Sequence, residues 1–94
     1  MYAELGPDER QLTGAWDDTG EDVLGDEVDQ RIFWLARHRL TPRASINGGW
    51  DQLFVDPRDG RLWELTFPLG SLFGGGPRRL THLSLEEASA KYGV

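Results

Sequence analysis

The sequence predicts an α+β fold: a small antiparallel β-sheet, arranged as a meander, with one main helix and a short C-terminal helix. Three observations carry this prediction: a segment with helical spacing of apolar residues, two alternating segments joined by a tight turn, and a capping motif near the end of the chain. Of the 94 residues 38% are hydrophobic, so residues 1–94 are expected to form a single domain around one modest core.

The first patterned segment, residues 10–16, is a short alternating run that ends in Trp16, which predicts a strand. The next stretch, 17–25, is acidic and contains Gly residues. It is therefore expected to form an exposed loop, with one extended turn around Val23 and Leu24.

The main helix is predicted over about 27–39. Asp26 precedes it as the N-cap, and Pro42 lies just beyond its end, where a helix cannot continue. The apolar residues at helical spacing are Val28, Ile32, Leu35, Ala36 and Leu40, with Phe33 widening the stripe. Trp34 falls on the opposite face, so it is either covered by another segment or by an arginine, or exposed as a binding anchor.

The chain from residue 44 onward predicts the meander. The expected strands are 44–46, 50–55 and 61–67, with a turn at 47–49 and a hairpin turn at 56–60. In the last of these strands Trp63, Leu65 and Phe67 share one face. We assign these three side chains to the core, together with Trp16 and Trp50.

The C-terminal part begins with a Gly- and Pro-rich loop, 68–79, followed by a short strand at 80–83. Ser84 and Glu87 then have the spacing of a capping box, in which each side chain bonds the backbone N–H of the other residue. This spacing predicts a short helix that ends at Gly93.

Composition narrows the class of partner. The net charge of −6 disfavours a protein that binds nucleic acid by neutralising phosphates, so no nucleic-acid partner is expected. The absence of Cys removes disulfides and thiolate zinc sites and fits a reducing compartment. Because no apolar run approaches the roughly 20 residues that span a bilayer, and the N-terminus lacks the layout of a secretory signal, we expect a cytoplasmic protein with no membrane partner.

The charge is unevenly distributed along the chain. Residues 1–30 carry ten acidic residues against a single basic residue, Arg10, whereas most of the arginines follow. Such an asymmetry either steers a partner by a long-range field or simply keeps the protein soluble, and both interpretations stay open.

No motif in the sequence requires a metal, a cofactor or a catalyst. His38 and His82 lack the spacing of metal ligands, so neither metal nor cofactor is expected. The Gly-rich stretch 74–79 is not a P-loop, because Pro77 lacks an amide donor and no Lys with Ser or Thr follows. It either forms a tight chain reversal or, next to its two Arg residues, holds an anion. Glu64 lies in mid-strand, where it either forms a cross-strand ion pair with an Arg or serves a small hydrolase site with one of the His residues.

Several motifs follow one another at defined spacing: GWDQLF at 49–54, DPRDGR at 56–61, WELTFP at 63–68 and GGGP at 74–77. In this order they resemble the immunity protein 27 family, and the LTGAW at 12–16 and the ending around 83–93 resemble it too. The similarity covers about residues 9–93. The motif residues expected to carry the family's structure are Trp16, Trp50, Asp56, Gly60, Trp63, Glu64, Pro68, Gly74, Gly75, Gly76 and Pro77. Two positions depart from the family pattern, with Phe67 in place of Tyr and Arg78 in place of a second Pro.

The resemblance implies a bacterial protein that binds and neutralises a polymorphic toxin in the cytoplasm of the producing cell. We expect a non-catalytic protein, monomeric when free, that occludes the toxin's active site or an adjacent surface, and the acidic surface suits a basic partner, for example a nuclease. Charge and aromatic character select the expected toxin contacts, which are Asp17, Asp18, Glu21, Asp22, Trp34, Phe73, Arg78 and Arg79. The alternatives are a small hydrolase that uses Glu64 with a His, and an interaction adaptor unrelated to toxins.

Overall fold

The computed structural model describes residues 2–17, 24–68 and 76–94. Within them the helices are α1 (Glu27–His38) and α2 (Leu85–Tyr92), and the strands are β1 (Gln11–Thr13), β2 (Trp16–Asp17), β3 (Leu24–Gly25), β4 (Thr41–Ile46), β5 (Asp51–Val55), β6 (Leu62–Thr66) and β7 (Arg79–Leu83). These residues form a five-stranded antiparallel sheet in the order β1-β7-β6-β5-β4 and a separate β2-β3 pair. The predicted α+β class, with a meander, a main helix and a short C-terminal helix, is confirmed.

The predicted strand at 10–16 is in fact two strands, because the chain leaves the sheet at Gly14. The Gly14 N–H donates to the carbonyl of Arg78 at 2.8 Å. After this contact the chain pairs with β3 instead of β7. Of the extended turn expected around Val23 and Leu24, Leu24 lies in β3, and Val23 lies outside the described residues.

The meander follows the prediction closely, with one strand longer than expected. β4 begins at Thr41 rather than 44, since Pro42 is tolerated on an edge strand and a register shift follows it before Ala44. The hairpin turn at 56–60 is confirmed, with the Gly60 N–H donating to the Asp56 carbonyl and Gly60 at a φ of 77°. Such a φ favours Gly at this position.

The apolar core cluster of the described residues lies between α1 and one face of the sheet. Ile32 and Leu35 of α1 are almost fully buried against this face. The sheet contributes Leu12, Phe54, Trp63, Leu65 and Leu80 to the cluster, which also contains Leu5 and Leu40. The core assignments of Trp63 and Leu65 are therefore confirmed, and Phe67 is partly buried against the same cluster.

The assignment of Trp50 to the core is wrong. Its side chain is 51% exposed and contacts Phe67 edge-on, with the ring centroids 5.3 Å apart. The physical reason is its place in the fold: Trp50 follows the 3-10 turn at Asn47–Gly49, just before β5, whereas α1 packs mainly against β1, β3 and β7. The assignment of Trp16 stays a prediction.

α2 packs on the opposite face of the sheet and is held there by Glu64. The capping box is present, with the Ser84 hydroxyl accepting from the Glu87 N–H, and Gly93 ends the helix in the left-handed region. The buried Glu64 carboxylate accepts from the Tyr92 hydroxyl at 2.8 Å and pairs with Lys91 at 2.6 Å. The predicted partner type, an Arg on a neighbouring strand, is wrong, because the covering helix brings a Lys instead.

Arginines fasten the N-terminal segment, residues 2–10, to the body of the protein. Arg58 donates to the Leu5 carbonyl and pairs with Glu4 and with the buried Asp56. Arg31 donates through both terminal nitrogens to the two carboxylate oxygens of Glu9, at 2.7 and 2.8 Å. This fastening brings Tyr2 onto α1, where its hydroxyl donates to the Gln30 side chain.

The Glu9–Arg31 pair predicts an acid-dependent loss of stability. The Arg31 hydrogen bonds lower the pKa of Glu9 from 4.5 to about 2, although partial burial opposes the shift. Because the pKa is lower in the folded state, this stabilisation is complete above about pH 4.5 and is lost as the pH falls towards 2. Allowing for solvent screening of a partly exposed pair, we expect Glu9→Gln to cost about 1 kcal/mol near neutrality and almost nothing near pH 2. Urea unfolding of the wild type and of Glu9→Gln between about pH 2 and pH 7 measures this cost. A difference in the free energy of unfolding that does not change with pH would contradict the prediction.

Candidate functional site

An open cleft of about 370 Å³ lies over the solvent side of α1. Its walls include Tyr2, Asp29, Phe33, Trp34, His38 and Arg78. Trp34 and Arg78, both expected toxin contacts, therefore line the same cleft. We take the cleft as the candidate site because it joins aromatic and cationic side chains at the surface.

Helical periodicity places the aromatic side chains of the cleft. Ile32 and Leu35 face the core, so Phe33 and Trp34 lie on the outer side of α1. Phe33 is 45% exposed, which corrects its assignment to the buried stripe. Trp34 is half-buried between Tyr2 and His38, with ring centroids 6.1 and 6.3 Å away. Tyr2 and Arg39 therefore cover Trp34 in part, and its role as a binding anchor stays a prediction.

Guanidinium groups stack on both of these α1 rings. The Arg39 guanidinium lies 4.7 Å from the Trp34 ring centroid. Phe33 contacts two guanidiniums, those of Arg78 at 4.7 Å and Arg37 at 5.4 Å. Stacking of this kind orders long side chains while leaving in-plane N–H donors available to a partner.

Asp29 of α1 binds Arg78, the residue that precedes β7 of the sheet. Its carboxylate accepts from the Arg78 backbone N–H at 2.7 Å and from the Arg78 guanidinium at 2.9 Å, and its side chain is 9% exposed. Gly14 packs on the other side of this pair, where a Cβ would lie 2.8 Å from the Asp29 Cβ and 2.9 Å from the Arg78 carbonyl oxygen. We call Gly14, Asp29 and Arg78 the junction. It sets the position of the Arg78 guanidinium over Phe33.

The other expected toxin contacts do not line the cleft among the described residues. Arg79 is the first residue of β7 and alternates with the core residue Leu80, so its side chain belongs to the α2 face of the sheet. Asp17 lies in β2. Asp18, Glu21, Asp22 and Phe73 lie outside the described residues, as do Gly74 and Gly75 of the GGGP motif.

The geometry is unfavourable to a hydrolase built on Glu64. Trp63 is paired with His82, and their rings lie 5.5 Å apart on the α1 face of the sheet. Glu64 alternates with Trp63 and points to the α2 face, and His38 lies on α1. Neither His therefore meets Glu64. Its bonds to Lys91 and Tyr92 give Glu64 a structural role instead.

The described residues offer neither a metal site nor a membrane-spanning helix. They contain no group of three or more His, Cys, Asp or Glu side chains that could hold a metal ion. No helix among them is long and apolar enough to cross a membrane.

Sequence reasoning missed three contributors to the site. Tyr2 carries no local signal, since only the fastened N-terminal segment brings it to α1. Asp29 looks like an ordinary acidic residue of a first helical turn, and Phe33 like part of the apolar stripe. The LTGAW motif did contain a signal for the junction, because Gly14 is the residue that permits the chain to approach Asp29 and Arg78 closely.

Comparison with known proteins identifies the family. The family model for immunity protein 27 matches residues 18–84 of the chain. No curated protein and no solved structure gives a significant match. The matched region spans α1 and the whole β4–β7 meander, together with Asp29 and Arg78 of the junction. Because this match covers more than half of the 94 residues, the chain belongs to the immunity protein 27 family.

Proposed function

We propose that the protein binds a cognate bacterial toxin domain and neutralises it without catalysis, by covering the toxin's active site or an adjacent surface. Membership of the immunity protein 27 family is the observation that carries this proposal. In this proposal the protein acts as a monomer, in the cytoplasm of the toxin-producing cell.

The cleft on α1 supports the proposal with a surface suited to a protein partner. Trp, Tyr and Arg are the residue types most enriched among the side chains that dominate binding energy. Here Tyr2, Trp34 and Arg78 occur together, with the half-exposed Phe33 between them. The cleft is also open, so a loop of a partner can enter it without rearrangement of the helix.

The test is binding and rescue with the toxin encoded next to this protein. A pull-down with the polypeptide encoded immediately upstream should recover a complex of nanomolar or tighter affinity, which is about −12 kcal/mol or more favourable. Co-expression should also restore growth to cells that produce the toxin. A wild-type protein that neither binds nor rescues would overturn the proposal.

The acidic segment, Asp17 to Asp22, is proposed to steer the encounter with a basic toxin surface. Its four carboxylates, Asp17, Asp18, Glu21 and Asp22, follow one another in six residues. Charge complementarity of this kind acts mainly on the association rate. Reversing all four to Lys should slow association at low salt by about tenfold or more and leave the unfolding curve in place. Stopped-flow mixing measures this rate, and an unchanged rate would rule out steering by this segment.

A further inference from the structure

The cleft has a local charge opposite to that of the whole protein. The chain carries a net charge of −6, yet Arg78 lines the cleft, and Arg37 and Arg39 stack on its Phe33 and Trp34 rings. The two carboxylates closest to them are already in ion pairs, Asp29 with Arg78 at 2.9 Å and Glu4 with Arg39 at 2.7 Å. Both of these carboxylates are therefore neutralised.

Arg37 is a second arginine on the Phe33 ring. It is exposed in the last turn of α1, and no carboxylate of the described residues forms an ion pair with it. Its guanidinium is ordered by the Phe33 ring. Arg78 flanks the same ring, and among its bonds to described residues only Nη1 of its guanidinium donates. Two guanidiniums, each with N–H donors that no described residue accepts, thus share one half-exposed aromatic ring.

We infer that the cleft receives an acidic side chain of the toxin, with the carboxylate accepting hydrogen bonds from Arg37 and Arg78 and the adjoining apolar part lying on Phe33. This inference rests on the proposed function and adds the chemistry of the contact. Planar guanidinium forks match the geometry of a carboxylate, and the ring excludes water from one side of the pair. The protein then presents an acidic segment and a cationic cleft to the same partner, which fixes the orientation of docking.

Arg37 variants test the inference against a control with the same change in charge. Arg43 in β4 is also exposed and also forms no ion pair with a carboxylate of the described residues, but it neither lines the cleft nor stacks on Phe33, whereas Arg37 stacks on this lining ring. With immobilised toxin domain, Arg37→Glu should weaken binding by about thirtyfold or more, and Arg37→Gln by about tenfold. Arg37→Lys should fall between Arg37→Gln and wild type. Arg43→Glu should change the affinity by no more than about threefold.

Two further measurements distinguish the possible occupants. Phe33→Ala should weaken binding by about tenfold, and a toxin variant with Lys in place of one Asp or Glu should restore the affinity of Arg37→Glu. If Arg37→Gln and Arg37→Glu bind as wild type while Phe33→Ala does not, an apolar group occupies the cleft and the inference is overturned. It is also overturned if nuclease treatment removes the effect of Arg37→Glu, because bridging nucleic acid then supplies the anion. Failure of the wild-type protein to bind would instead count against the proposed function.

Discussion

Replacing Asp29 with Ala should lower the free energy of unfolding by about 3 kcal/mol, because it leaves a partly buried guanidinium and a backbone N–H without their acceptor. The Asp29 carboxylate is 9% exposed and receives both of these donors from Arg78. It also lies in the first turn of α1, where the helix dipole favours a negative charge. For a chain of this size the melting temperature should fall by about 12 to 20 °C.

Two related variants separate the components of this loss. Asp29→Asn keeps an oxygen for the Arg78 N–H and should recover roughly half of the stability. Arg78→Ala leaves the backbone bond in place, so it should cost about 1 kcal/mol, less than Asp29→Ala. Thermal and urea unfolding measure all three. A cost below about 0.5 kcal/mol for Asp29→Ala would mean that the junction does not stabilise the fold.

Gly14→Ala should cost about 2 kcal/mol, although it adds a single methyl group. The new Cβ would lie 2.8 Å from the Asp29 Cβ and 3.0 Å from the Asp29 Cα, and 2.9 Å from the Arg78 carbonyl oxygen. These atoms belong to the backbone or adjoin it, so they cannot move aside as the end of a flexible side chain can. The variant should also weaken toxin binding, since displacement of Arg78 moves its guanidinium away from Phe33.

Gly6→Ala is the matched control for this substitution. Its Cβ would meet only the Glu9 side chain, at 3.6 Å or more, which is ordinary van der Waals contact. Gly6→Ala should therefore change the stability by no more than about 0.5 kcal/mol in either direction. Equal losses for the two variants in urea unfolding would show that crowding at the junction is not the cause.

Local patterns predicted most of the secondary structure, because the signals are short-range. The Asp26 cap, the hairpin turn at 56–60 and the Ser84–Glu87 capping box each depend on residues within a few positions of one another. Tertiary placement was harder to predict. Trp50 has a large aromatic side chain of the kind that is usually buried, but its burial depends on where α1 crosses the sheet. The helix packs mainly against β1, β3 and β7, so Trp50 stays exposed.

The candidate site was predictable only in part, for the same reason. Trp34 stood out because it breaks the apolar periodicity of α1, and Arg78 because it departs from the family pattern. That they share a cleft depends on a contact between residues 49 positions apart, the Asp29–Arg78 pair. Nothing local in the sequence marks Asp29 as the partner of Arg78. The role of Glu64 was missed similarly, because α2 returns to the sheet and supplies Lys91 and Tyr92.

The central claim is that the toxin docks on the α1 cleft, and site-specific photo-crosslinking tests it most directly. A photoreactive phenylalanine analogue would replace Phe33 in one protein and Leu85 in another, because both side chains are exposed, at 45% and 68%. Leu85 begins α2, which packs on the opposite face of the sheet from α1. Illumination of the complex should crosslink the toxin from position 33 and not from position 85. Crosslinking from position 85 alone would contradict the account and move the toxin-binding surface to the other side of the protein.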